Sequence, residues 1–171
     1  MKDNLVIYEV FDKDTVESVY KLIESIEEPR WIRRTKLQPG RAINNSTCAY
    51  DYCNHMQMKK EMKEQLKEIA PVYEDFKLAD LAVNRYKIGD YIGQHKDKHD
   101  FRRNLVISLQ ESGDGLYIDE EDKFVEDKIG QGVLIEGIGP IHSVPPAKKL
   151  RYSLVYLYEW EKYAWNTRTI R

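Results

Sequence analysis

The sequence contains only two cysteines, Cys48 and Cys53, in 171 residues. That is too few for a disulfide framework, and no partner ligands for a zinc site accompany them. Two free thiols in a reducing compartment is the expectation. No apolar run approaches the ~20 residues of a membrane span. Met1-Lys2-Asp3-Asn4 opens no signal peptide, so a cytoplasmic protein without membrane contact is expected. Neither charge sign dominates: 27 Lys and Arg against 29 Asp and Glu leave −2, which excludes a global field able to hold nucleic acid or anionic lipid. Glycine and proline are sparse, at 9 and 6, and form no linker, repeat or low-complexity tract. What remains is ordinary globular usage, 42% hydrophobic and 33% charged, long enough for one domain over residues 1–171 and hardly two.

The hydrophobic period changes near Leu81. Before it, residues 1–80 read as helix-rich. Asp14 can cap a helix with Glu17 three residues on, followed by Val16, Val19, Tyr20, Ile23 and Ile26 at helical spacing. A second helix is predicted over about residues 56–70, with Met58, Met62, Leu66 and Ile69 on one face and Pro71 ending it. Residues 81–86, 105–109, 116–118, 133–135 and 150–158 read as short strands separated by glycine-containing turns. The fold class expected is α+β: a small β-barrel or jelly roll, its core at about residues 81–160, packed by N-terminal helices.

His95 and Asp97 stand two apart, so on a strand both leave the same face, with Cα atoms roughly 6.5–7 Å apart. His142 follows a glycine-rich turn. Two imidazoles and one carboxylate on a rigid scaffold form the facial set that suits ferrous iron with open positions. The plainer alternative is two surface histidines beside an unrelated aspartate. Nine residues beyond His142 comes Arg151, and alternation places Ser153 on the same face. A guanidinium beside a hydroxyl receives a planar carboxylate well, since arginine donates through two nitrogens. Alternatively, Arg151 faces solvent and pairs with an acid of the 119–127 run. Within that run, Asp119, Glu120, Glu121 and Asp122 read as a solvated hairpin tip.

Residues 84–97, 103–109, 132–135, 142–145 and 151–154 together resemble the iron(II)- and 2-oxoglutarate-dependent dioxygenases, in their prolyl-hydroxylase-like branch. The resemblance covers about half the chain and implies a double-stranded β-helix, the cupin-like jelly roll. It implies iron held by His95, Asp97 and His142. It also implies 2-oxoglutarate with its distal carboxylate on Arg151, helped by Ser153 and Tyr86, O2 as co-oxidant and ascorbate as reductant. Two departures stand out. Collagen-type relatives use lysine where Arg151 stands, and oxygen-sensing relatives carry a cosubstrate-binding tyrosine where Ser108 stands. The activity implied is hydroxylation of a C–H bond, on proline or another protein side chain. The alternatives are a nucleic-acid or nucleobase dioxygenase and a non-catalytic cupin-like binding module.

Residues 30–41 carry five basic side chains and no acid, a composition suited to an acidic peptide or a phosphate backbone. In the family, a flexible segment at a similar place covers the substrate. Arg33 and Arg34 from this segment, and Arg102 and Arg103 beside the expected metal loop, are the candidate substrate contacts. His99 and Asp100 read as loop residues.

Overall fold

Along residues 151–160 every second side chain points the same way. Tyr152, Leu154, Tyr156 and Tyr158 join the apolar cluster that holds both helices, whereas Arg151, Val155 and Leu157 line a cavity on the other face. This strand is the centre of the larger of two sheets in the computed structural model, which describes residues 4–162.

In chain order the described elements are β1 (Leu5–Glu9), α1 (Lys13–Glu24), β2 (Ile32–Arg34), β3 (Cys48–Asn54), α2 (Lys60–Glu68), β4 (Phe76–Tyr86), β5 (Tyr91–His95), β6 (Arg102–Ser108), β7 (Gly115–Ile118), β8 (Lys123–Glu126), β9 (Gln131–Glu136), β10 (His142–Val144) and β11 (Arg151–Trp160). The strands follow one another in the order β1-β9-β6-β11-β4-β3-β5-β10-β7-β8, with β2 on β3. All pairings are antiparallel. β3 belongs to both halves: Asp51–Asn54 pair with β4, while Cys48 and Ala49 pair with β5. The sheet thereby curls on itself, giving the jelly-roll, double-stranded β-helix architecture that the sequence led us to expect.

Both helices pack on the outer face of the larger sheet. Val16, Val19 and Ile23 of α1 and Met62 and Leu66 of α2 meet Leu105, Ile107, Leu154 and Tyr156. The hydroxyl of Tyr156 donates to the Leu66 carbonyl at 2.5 Å, near the end of α2 where carbonyls lack helical partners. A second apolar cluster, with Tyr50, Tyr86, Ile118 and Ile135, fills the space between the two halves.

Several expectations need correction. Asp12, not Asp14, caps α1, accepting from the Thr15 amide at 2.8 Å. The second helix is the shorter α2, with Met58 and Ile69 outside it. Residues 1–80 are not simply helix-rich, because β1, β2, β3 and the start of β4 lie there. The acidic tip is only in part as expected: residues 119–121 form a 3-10 turn between β7 and β8 with Glu120, Glu121 and Asp122 exposed, but Asp119 is half-buried and accepts from Gln94 at 2.8 Å. Both cysteines are buried and free, and burial pushes the Cys53 thiol up to about 11. No helix among the described residues is long and apolar enough to cross a membrane.

Candidate metal centre

His95 ends β5 and His142 begins β10, and the antiparallel register sets them directly opposite one another. Asp97 lies just beyond β5, its amide donating to the Ile138 carbonyl at 3.1 Å. One ligating atom from each of the three lies within 4.8 Å of the other two. Both imidazoles are oriented in the same manner. Nδ1 of His95 donates to the Gly93 carbonyl at 2.8 Å, and Nδ1 of His142 donates to the Pro140 carbonyl at 2.9 Å. A carbonyl can only accept, so each Nδ1 carries the proton and each Nε2 keeps its lone pair for a metal.

Gly93 has a second use. A Cβ there would lie 2.7 Å from the Thr47 carbonyl oxygen and 2.8 Å from the Ser46 Cβ, so glycine lets the 46–47 backbone close over β5.

Asp97 receives Nη2 of Arg41 on Oδ1 at 2.9 Å, while its Oδ2 is buried without a hydrogen-bond partner. A buried carboxylate oxygen with no donor is costly in an apo protein and is what a metal ligand looks like before loading. Burial, then the neighbouring His142 and the Arg41 charge, push the His95 pKa down to about 3, which leaves the ring neutral and ready to ligate. The donor set therefore fits a divalent iron with positions to spare.

The three residues border a cavity of about 310 Å³ that runs along the inner face of the larger sheet. At one end Arg151 is fully buried, its guanidinium carbon 4.9 Å from the centre of the Tyr86 ring, which pairs with it across β4 and β11. Ser153, the next inward residue, is also buried, and its Oγ has no partner. The two alternatives for Arg151 prove compatible: it faces inward and still pairs with an acid of the 119–127 run. Asp127 Oδ2 accepts from Nε at 2.5 Å and Oδ1 from Nη2 at 2.9 Å. One two-nitrogen edge, Nε–Nη2, is thus occupied, while Nη1 is left buried and unpartnered. Burial opposes the Arg151 charge, but Asp127 outweighs it.

Of the four nominated arginines, only Arg34 and Arg102 line the cavity. Arg33 reaches Asp90 with two nitrogens, at 2.7 and 2.8 Å, and touches Asp51. Arg103 pairs with Glu136. Arg102 is held by Glu159, a carboxylate only 1% exposed. Arg34 alone among the described arginines has no carboxylate partner, and its guanidinium lies 4.4 Å from the Tyr52 ring centre. The expected lid over 30–41 is corrected in its first part: residues 28–30 form a 3-10 turn and 32–34 pair with β3. His99 lies in a loop, as expected, and borders the cavity.

Sequence reasoning did not single out Asp127 within the 119–127 run, nor Arg41 within the basic segment. The available signal for Asp127 was its separation from the acidic tip by buried Val125 and its place before the turn at Gly130. Arg41 was counted only as one charge of the basic segment.

No protein-family model matches the chain, and no curated protein does. Solved structures do. A 2OG-Fe(II) oxygenase-family oxidoreductase from Burkholderia pseudomallei is similar at TM-score 0.70 and 14% identity, covering 99% of this chain and 90% of that one. A prolyl-4-hydroxylase from Pseudomonas putida matches at 0.64 and 16%, covering 94% of each. A non-heme alpha-ketoglutarate-dependent epimerase from nogalamycin biosynthesis matches at 0.65 and 14%, covering 92% of this chain and 79% of that one. At these identities the likeness is one of fold.

Proposed function

We propose that this chain is an iron(II)- and 2-oxoglutarate-dependent dioxygenase that hydroxylates a protein side chain, proline foremost. The observation that carries the reading is a coincidence of unsatisfied atoms. Two Nε2 lone pairs and the Asp97 carboxylate meet within 4.8 Å on the cavity wall, and Arg151, which lines the same cavity, has a buried, unpartnered Nη1, with Ser153 Oγ buried and unpartnered two residues along β11. Buried polar atoms without partners are rare in folded proteins. Of the eight such side-chain atoms among the described residues, Asp97 Oδ2, Arg151 Nη1 and Ser153 Oγ fall into two groups that match the two ends of one ligand: a metal-chelating 2-oxo acid and a distal carboxylate.

His95, Asp97 and His142 would hold the iron on one side only, so its remaining positions face the cavity. Arg151 Nη1 and Ser153 Oγ would take the distal carboxylate, with the Tyr86 hydroxyl near by and burial raising its pKa so that it stays a donor. When bound, iron(II) and 2-oxoglutarate supply the oxidation, in which O2 gives one oxygen to succinate as CO2 leaves and the other to the substrate carbon. Arg41 fixes Asp97 through Oδ1 and leaves Oδ2 to the metal. The protein needs no general base.

Arg34 supports a substrate bearing an anion near the oxidised carbon, because a half-buried guanidinium without an acid beside the cavity is available to one. The prolyl reading draws on the fold shared with the Pseudomonas putida enzyme. A cytoplasmic site of action accords with two free thiols. The test is incubation with iron(II), 2-oxoglutarate, ascorbate and O2, alongside proline-containing peptide pools or single-stranded oligonucleotides. Stoichiometric succinate with one oxygen added to a peptide is expected. Oxygen added to the oligonucleotide overturns the protein-hydroxylase reading, and absence of succinate throughout overturns the dioxygenase reading.

A further inference from the structure

Asp127 is 4% exposed and its backbone amide is tied to the Asp114 carbonyl at 2.9 Å, so its carboxylate is held in place. Besides the two contacts to Arg151, Oδ1 accepts the Ser108 hydroxyl at 2.8 Å. Ser108 faces Ser153 across β6 and β11. The guanidinium is thus fixed from two directions, by Asp127 along one edge and by the Tyr86 ring against its face.

We propose that Asp127, itself held by Ser108, is a positioning residue that decides which atoms of Arg151 meet the distal carboxylate of 2-oxoglutarate. The proposal rests on the dioxygenase reading above. Two consequences follow from the geometry. Nε and one N–H of Nη2 are spent within the protein, so the ligand's carboxylate is read by the remaining Nη1–Nη2 edge and Ser153 Oγ. The negative charge of Asp127 also cancels that of Arg151, so this end of the cavity recognises its ligand by placed donors more than by net charge. Ser108 accordingly has a use in this chain: it anchors the acid that anchors the arginine.

The test reads binding, with no turnover. Protein loaded with Zn(II), which is redox-silent, is titrated by calorimetry with 2-oxoglutarate and with oxalate, a chelator that has no distal carboxylate. Asp127→Asn should weaken 2-oxoglutarate about tenfold or more, in the range of lost outer-shell contacts, and leave oxalate unchanged. In an Arg151→Gln background the same substitution should add nothing for 2-oxoglutarate, because Asp127 acts through Arg151. If Asp127→Asn fails to fold with its buried guanidinium uncompensated, Ser108→Ala leaves every charge in place and should show the same selective loss at smaller size. The proposal is overturned if the variant binds 2-oxoglutarate as tightly as wild type or more so. Equal loss of oxalate, or further loss in the Arg151→Gln background, overturns it as well. Wild-type protein that binds oxalate but gains nothing from the longer ligand contradicts the dioxygenase reading itself, and the proposal falls with it.

Discussion

His95 and His142 face each other across the β5–β10 ladder with ring centroids 4.2 Å apart, and each gives its Nδ1 proton to the carbonyl two residues before it. The backbone thus sets both tautomers and leaves both Nε2 atoms free for the iron proposed above.

Removing His95, Asp97 or His142 by alanine substitution should abolish binding of one equivalent of Zn(II) or Fe(II), measured by equilibrium dialysis. Arg41→Ala should weaken it by about 10–100-fold, the usual cost of losing a partner that orients a ligand. Unchanged affinity in Arg41→Ala would leave Asp97 held by its backbone alone.

The same neutral imidazole sets a pH dependence in metal-free protein. The His95 pKa falls to about 3 in the fold, against an unfolded value near 6.5. Between these values the unfolded chain binds a proton that the folded chain refuses, so stability is full above about pH 6.5 and declines as pH falls toward 3. Urea midpoints measured in chelator should fall over that window, and His95→Gln should flatten the decline. An equal slope in both proteins would contradict the assignment.

Arg33 and Arg34 are adjacent in sequence yet should behave oppositely. Arg33→Ala strips two buried carboxylates, Asp51 and Asp90, of a partner and should cost about 1–3 kcal/mol of stability by urea unfolding. Arg34→Gln should leave the unfolding midpoint nearly unchanged. It should raise the KM for an anionic substrate about tenfold at low ionic strength, an effect that shrinks as salt is added.

Much of the site was legible because its chemistry is local. Arg151 and Ser153 are two residues apart within β11, so strand alternation alone brings them together; Asp97 stands at the same spacing from His95 but lies just past β5, where its amide is held by the Ile138 carbonyl. Register was not legible. Nothing in the sequence states that β10 lies between β5 and β7, or that Asp127 meets Arg151 across 24 residues. β3 escaped notice because Asp51 interrupts its apolar residues, and it is stabilised by pairing with neighbours on both sides rather than by its own pattern. Asp14 was preferred to Asp12 as a helix cap because the capping-box spacing to Glu17 suits it, but the first turn forms two residues earlier.

The most direct test of the account is thermal unfolding with Zn(II) alone, 2-oxoglutarate alone, and both. A ligand raises Tm only where it binds the folded state. The account predicts that metal alone raises Tm, that 2-oxoglutarate alone does not, and that 2-oxoglutarate adds a further rise once metal is present. Arg151→Gln should keep the first rise and lose the second. A 2-oxoglutarate shift that ignores the metal, or one that survives Arg151→Gln in full, would contradict it.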